Sequence, residues 1–223
     1  MTPHPITVTE ALAGTAAVAL LLTQLALFRS VVLREMISLY ATQSALVGAI
    51  CLTVGIAGRS WDLVVLAVLT VAFKVVLLPA YMRGLARHVS DRIELPVRVN
   101  VTLSILMAAA LMALAMLTAA RLPLPSGAFL PRADLATTLA IVFVGFLLAI
   151  LRPNALAQVI AFLTLENGLF FGTVTLAPGL PFVVGVLLLI DVLAAVVVFA
   201  VLVRVMVMRR SSASVVTLSE LRG

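Results

Sequence analysis

Charged residues are scarce in this sequence. Of its 223 residues only 11% are Asp, Glu, Lys or Arg, 64% are hydrophobic, and the mean hydropathy is +1.27. A soluble domain has about 25% charged residues, so this chain lacks the polar surface to cover itself in water. Because one membrane span takes about 20 apolar residues, the chain holds at most about seven or eight spans, with no room for a soluble catalytic domain. The composition predicts an integral membrane protein.

Cysteine is nearly absent too. The single Cys51 excludes an internal disulfide and a cysteine cluster for zinc or an iron–sulfur centre. The two histidines, His4 and His88, are too far apart in the sequence to suggest a metal site, and no nucleotide-binding motif is present. We therefore expect this chain to contain no catalytic residue, no metal and no bound cofactor.

Long apolar stretches make up most of the sequence. They are separated by charged breaks or by turns that contain Pro and Gly. Pro153 and Pro181 follow two such breaks and suit the first turn of a helix, where the missing N–H leaves no helical hydrogen bond unmade. The pattern predicts an all-α membrane protein with about seven transmembrane helices, at 11–28, 34–57, 61–83, 99–120, 134–151, 155–176 and 181–207.

The basic residues indicate how these helices cross the membrane. Seven crossings place eleven arginines on one side and three on the other. By the positive-inside rule the rich side is cytoplasmic, so the N-terminus is outside and the C-terminus inside. This asymmetry accounts for the sequence pI of about 11.0 without a nucleic-acid partner. Only His4 could carry positive charge before Arg29, so we predict that the first span is retained and is not a cleaved signal.

A weak internal repeat relates the two ends of the chain. Shifting the sequence by 123 residues superimposes Arg29 on Arg152, each at the end of a span, and Gln43 on Glu166. Two three-helix units that both begin outside need one helix between them, which again gives seven helices and makes the repeats parallel. The predicted parts are an N-terminal three-helix unit with its cytoplasmic loop, a connecting helix and loop, a second three-helix unit and a cytoplasmic tail, at residues 1–98, 99–133, 134–208 and 209–223.

Three charged residues are predicted to lie well inside spans: Lys74, Glu166 and Asp191. Each costs about 2.5–3.5 kcal/mol at a helix centre, so each is a candidate functional residue. Glu166 and Asp191 lie roughly 15 Å from the outer ends of two helices joined by a short turn, so we expect them near each other. Two desolvated carboxylates do not both stay ionised readily, which favours a proton path. The alternative is that they only join helices through hydrogen bonds.

Lys74 is the only lysine of the chain. A buried lysine exchanges its proton, which arginine does not, so Lys74 joins the predicted proton path. Pro79 frees the carbonyl of Val75 and is expected to kink the helix beside the lysine. The alternative is that the side chain extends to the cytoplasmic edge of the membrane. Gln43 and Asn167 are expected to support the path through hydrogen bonds.

Five motifs occur in order along nearly the whole chain. They are Tyr40-Ala-Thr-Gln43-Ser44, Lys74-Val-Val-Leu-Leu-Pro79, Leu165-Glu166-Asn167-Gly168, Asp191 and the closing Leu218-Ser-Glu-Leu-Arg-Gly223. Together they resemble hydrogenase-4 component E, a membrane subunit of formate hydrogenlyase and related group 4 NiFe-hydrogenase complexes. The resemblance implies a non-catalytic subunit of a complex I-like respiratory assembly in a bacterial or archaeal cytoplasmic membrane.

The last three helices are similar to the small K subunit of bacterial complex I. On this resemblance Glu166 takes the place of that subunit's intramembrane glutamate, and Asp191 stands in for the glutamate of its third helix. Related sequences often carry a further glutamate where this chain has Gly185, so a relay through that position would be interrupted or completed by water. The implied partners are antiporter-like membrane subunits, a membrane anchor like the H subunit of complex I, a peripheral hydrogenase or redox arm that holds the NiFe and iron–sulfur centres, and lipids.

Two other functions are compatible with the same residues. A self-contained cation/proton transporter would be active with this chain alone, whereas a complex I-like subunit needs its partners. A purely structural scaffold would need no proton exchange by Glu166.

Overall fold

The computed structural model describes residues 8–88, 100–123, 132–152, 155–176 and 186, which form helices and short turns with no β-strand. A π-helical segment joins two of the helices into one continuous rod. All described residues belong to one unit of the chain, Met1–Leu188. The helices are α1 (Val8–Arg29), α2 (Leu33–Ala57), α3 (Trp61–Thr70), the π-helical segment Val71–Leu77, α4 (Leu78–His88), α5 (Val101–Arg121), α6 (Arg132–Leu151) and α7 (Ala155–Leu176).

Five described helices are long and apolar enough to cross a membrane, and the apolar part of α1, Gly14–Arg29, is shorter. The prediction of an all-α, multi-pass membrane protein is confirmed at this level. The predicted span 155–176 coincides with α7, and the other described helices begin and end within a few residues of their predicted bounds. The seventh predicted span, 181–207, lies outside the described residues except for residue 186, so the count of seven and the orientation stay predictions. The five described helices that are long and apolar enough to cross a membrane are Leu33–Ala57, Trp61–Gly84, Thr102–Arg121, Ala133–Leu151 and Leu156–Leu176.

Local signals fix several helix ends. The Asn100 side chain accepts a hydrogen bond from the Thr102 N–H at 3.1 Å, which caps the start of α5. Between α2 and α3, the Gly58 N–H donates to the carbonyl of Val54, and Arg59 adopts a left-handed conformation with φ of 50°. This turn reverses the chain within three residues, so α2 and α3 are antiparallel neighbours.

The helices pack around α2 and α7. α2 contacts α1, the rod formed by α3, the π-helical segment and α4, and also α7; α7 contacts α6, which in turn contacts α5 and α1. A shared apolar core joins α3 and the second halves of α2 and α7 to residues of α1 and α6. Its buried members are Ala17, Leu20, Val47, Ile50, Cys51, Val54, Leu63, Leu66, Ala67, Ile141, Phe170, Phe171 and Val174.

Glycines bring α6 and α7 close together. A Cβ on Gly168 would lie 2.8 Å from the Ile141 side chain, and one on Gly172 would lie 2.6 Å from Thr138. These two glycines have the G-x-x-x-G spacing that lets membrane helices approach backbone to backbone. Gly145 faces Leu165 in the same way, at 3.0 Å. The close packing of α6 against α7, which we call the α6–α7 seam, therefore depends on glycines on both helices.

Candidate functional site

Lys74 lies at the centre of the π-helical segment Val71–Leu77. The wider turn is shown by the Leu78 N–H, which donates to the carbonyl of Phe73, five residues back. Pro79 follows directly and has no N–H with which to continue the α-helical pattern. Where the sequence predicts a kink beside Lys74, the structure has a π-helical segment, a feature that often occurs at functional sites.

Gly48 of α2 accommodates this wide turn. A Cβ at Gly48 would lie 3.1 Å from the Val71 side chain, so any larger residue would press against the π-helical segment. The close approach leaves Lys74 only 3% exposed, inside the bundle. The lysine is thus placed by two helices together and not by its own helix alone.

Lys74 forms an ion pair with Glu166 of α7. The distance from Nζ to Oε1 is 2.8 Å, and both side chains are 3% exposed. Glu166 lies near the middle of α7, whose ends are ten and eleven residues away, or about 15 Å. The ammonium also donates to Asn167 Oδ1 at 3.3 Å and lies 5.7 Å from the centre of the Phe170 ring, within the range of a cation–π contact.

A chain of buried polar side chains continues from this pair. Asn167 Nδ2 donates to Ser44 Oγ at 2.9 Å and to Gln43 Oε1 at 3.3 Å. Gln43 Nε2 donates in turn to Gln24 Oε1 at 2.8 Å. The side chains of all four residues are fully buried. The chain connects α7, α2 and α1, and through Lys74 it reaches the π-helical segment.

The Lys74 ammonium determines the direction of every hydrogen bond in this network of side chains. A lysine ammonium only donates, so Asn167 must present its oxygen to Lys74 and its NH₂ to α2. Gln43 must then accept from Asn167 and donate to Gln24. Side-chain amides do not ionise at physiological pH, so within this network only Lys74 and Glu166 carry ionisable side chains. The amides hold the pair in position, and they do not conduct.

Four predicted site residues therefore meet in one network: Lys74 and Glu166 as the ion pair, Gln43 and Asn167 as supports. Lys74 does not extend to the membrane edge. Gln43 bonds to two amides and not to the lysine. The fifth residue, Asp191, lies outside the described residues, so its predicted closeness to Glu166 stays a prediction.

Sequence reasoning missed two members of the network, Gln24 and Ser44. The signal for Gln24 is a lone amide within the apolar first span. Ser44 is the position that the 123-residue shift superimposes on Asn167, and these two residues contact each other directly.

Arg152 has a structural role that its position at a span end did not reveal. It is 2% exposed, and its Nη2 donates to the carbonyls of Phe28, at 3.0 Å, and Ser30, at 2.6 Å. It thereby caps the C-terminus of α1. Burial lowers the pKa of the Arg152 guanidinium from its ordinary value, but arginine stays charged at physiological pH.

Among the described residues no three His, Cys, Asp or Glu side chains come together as metal ligands. Comparison with protein-family models, with curated proteins and with solved structures finds no match for this chain.

Proposed function

We propose that this chain is a non-catalytic membrane subunit of a complex I-like or group 4 hydrogenase-type respiratory complex, and that Glu166 with Lys74 couples protonation changes between its redox and pumping parts. The observation that carries the proposal is the buried Lys74–Glu166 ion pair near the middle of the helix bundle. A buried pair of this kind contributes little net stability compared with apolar side chains. A functional role explains its presence better than stability does.

The surroundings of Lys74 suit a pair that changes its protonation state. When Glu166 takes up a proton, the lysine loses its counter-charge but keeps the Asn167 carbonyl oxygen and the face of Phe170. The remaining charge is then held in place until the proton leaves. Moving one charge through 100 mV involves about 2.3 kcal/mol, so a modest change in these interactions is enough to couple to the membrane potential.

Glu166→Gln in the assembled complex tests this role. We expect electron transfer to continue while most proton translocation is lost, because glutamine keeps the shape and hydrogen bonding of Glu166 but cannot exchange a proton. Glu35→Gln is the matched control: Glu35 is an exposed carboxylate in the first turn of α2, bonded to Ser30 at 3.0 Å, and its variant should pump normally. Unchanged coupling in an intact Glu166→Gln complex would favour a structural scaffold.

Purification and reconstitution distinguish a subunit that needs partners from a transporter that works alone. Mild detergent should co-purify an antiporter-like subunit and a redox arm with this chain, and liposomes containing the chain alone should show no ion flux. Solitary migration together with flux in those liposomes would favour a cation/proton transporter. Five apolar helices support a multi-pass membrane location, and we place the chain in a bacterial or archaeal cytoplasmic membrane, with its N-terminus outside.

A further inference from the structure

A second group of buried polar side chains lies at the other end of the α6–α7 seam, away from Lys74. We call it the α6–α7 oxygen cluster. The side chains are between 0% and 7% exposed, although all lie within apolar membrane-spanning helices. Its members are Asp134, Thr137 and Thr138 of α6 and Thr175 of α7.

The packing of α6 against α7 places these four side chains at the same end of the two helices. The two helices run antiparallel: Gly145 faces Leu165, whereas Thr138, earlier on α6, faces Gly172, later on α7. The turn of α6 that precedes Thr138 therefore lies opposite the turn of α7 that follows Gly172. Those turns carry Asp134 and Thr175, so the carboxylate and the hydroxyl share the same end of the seam.

The cluster presents oxygen lone pairs and few protons. The Thr137 hydroxyl donates to the carbonyl of Ala133 at 2.9 Å, and the Thr175 hydroxyl donates to the carbonyl of Phe171 at 2.9 Å. Their protons are thus committed to the helix backbone, which leaves both oxygens as acceptors.

Two further oxygens have no hydrogen-bond partner within the described part of the chain. They are Asp134 Oδ2 and Thr138 Oγ1, both buried. A buried polar atom without a partner costs roughly 1–3 kcal/mol, and more when it is charged. Thr138 Oγ1 also lies against the bare Cα of Gly172, where an added Cβ would come within 2.7 Å, so the hydroxyl occupies a space that any side chain would fill. Among the residues that the structure describes, no cationic side chain forms an ion pair with Asp134.

We propose that the α6–α7 oxygen cluster binds Na⁺. Hydroxyl and carboxylate oxygens are ligands for hard cations, and the absence of imidazole or thiolate among these four side chains disfavours transition metals. A single carboxylate balances one positive charge, whereas Ca²⁺ sites generally use several carboxylates. Asp134 lies about ten residues of α6, or roughly 15 Å, from the level of Glu166. The cluster is therefore a separate site and does not depend on the proton role of Glu166.

Thermal unfolding of the full-length chain, as purified in nanodiscs, tests the proposal. Melting is compared in NaCl and in choline chloride at equal ionic strength, because choline is too large for the cluster. A cation that binds only the folded state raises Tm, and we expect a rise of about 2–4 °C in NaCl for the wild type. Asp134→Asn should abolish this rise. In a titration with NaCl, Thr138→Val, which keeps the carboxylate and the side-chain shape, should need a higher Na⁺ concentration than the wild type for the same rise in Tm.

Asp62→Asn is the matched control. Asp62 and Asp134 both lie in the first turn of their helices, α3 and α6, but Asp62 is exposed whereas Asp134 is buried. The Asp62→Asn variant should therefore keep the rise of Tm in NaCl. If Asp134→Asn fails to fold, the Thr138→Val titration decides. No Na⁺-specific rise in the wild type, an equal rise in Asp134→Asn, or an unshifted titration in Thr138→Val would each overturn the proposal.

Discussion

At the scale of single residues, the buried charged groups that the structure describes outside the α6–α7 oxygen cluster are of two kinds. Lys74 and Glu166 neutralise each other directly at 2.8 Å. Arg152 is satisfied in part by backbone carbonyls at the end of α1. Burial of a charge is thus accepted here either as one half of an ion pair or as a helix cap, and only the ion pair contains two groups that exchange protons.

The Lys74–Glu166 pair makes a prediction for stability. Lys74→Met removes the ammonium from beside a buried carboxylate, and we expect a loss of about 3–5 kcal/mol in the free energy of unfolding. The double variant Lys74→Met/Glu166→Leu leaves no charge to bury and should recover most of that loss. Unfolding by denaturant in one detergent, for the wild type, both single variants and the double variant, measures the coupling between the two positions.

Additive losses in this double-mutant cycle would mean that the two side chains do not interact with each other. That result would also remove the observation on which the proposed proton role rests. Glu166→Gln alone is expected to cost less than Lys74→Met, because the ammonium keeps its contacts with Asn167 and Phe170.

At the scale of helices, glycine spacing decides how α6 and α7 meet. Gly168 and Gly172 face Ile141 and Thr138 at distances that leave no space for a methyl group. The seam holds Glu166 and Asn167 on one helix at a fixed rotation, so that both point towards α2 and Lys74. The π-helical segment does the same for Lys74, because its wider turn and Gly48 set the direction of the side chain.

Gly168→Ala tests the α6–α7 seam. Its Cβ would lie 2.8 Å from Ile141, and overpacking of this kind typically costs about 1–3 kcal/mol. Gly14→Ala is the control: nothing lies within 4 Å of a Cβ at Gly14, so alanine there should be neutral or stabilise α1 slightly through its higher helix propensity. Equal unfolding midpoints for the two variants would contradict the close approach of α6 and α7.

At the scale of the whole molecule, the predicted orientation in the membrane rests on the distribution of charge and not on packing. In a Cys51→Ala background, which removes the only native thiol, Arg59→Cys and Arg34→Cys place single thiols at exposed positions on opposite ends of α2. We expect a membrane-impermeant maleimide to label position 59 in intact cells and position 34 only after permeabilisation. The reverse pattern would contradict the N-out orientation.

The class of protein and the positions of the described helices were predictable, and so were the candidates Lys74 and Glu166. Hydropathy is a local property summed over about 20 residues, and a charge inside an apolar run is conspicuous whatever surrounds it. Asp134 escaped notice because it stands at the first residue of its predicted span, 134–151, where a charge is ordinary. Its burial comes from packing between segments distant in sequence, which no local pattern describes.

The sequence by itself determined that this chain is a multi-pass membrane protein and that Lys74 and Glu166 are charged residues within its spans, because the cost of placing a charge among apolar residues is read directly along the chain. Only the tertiary structure decided the contacts of those side chains. It paired Glu166 with Lys74, from a helix distant in sequence, and joined Asn167 to Ser44 and Gln43. In a helix that is apolar all round, the direction of a side chain depends on how the helix is rotated about its axis relative to the neighbouring helices. That rotation is set by non-local packing.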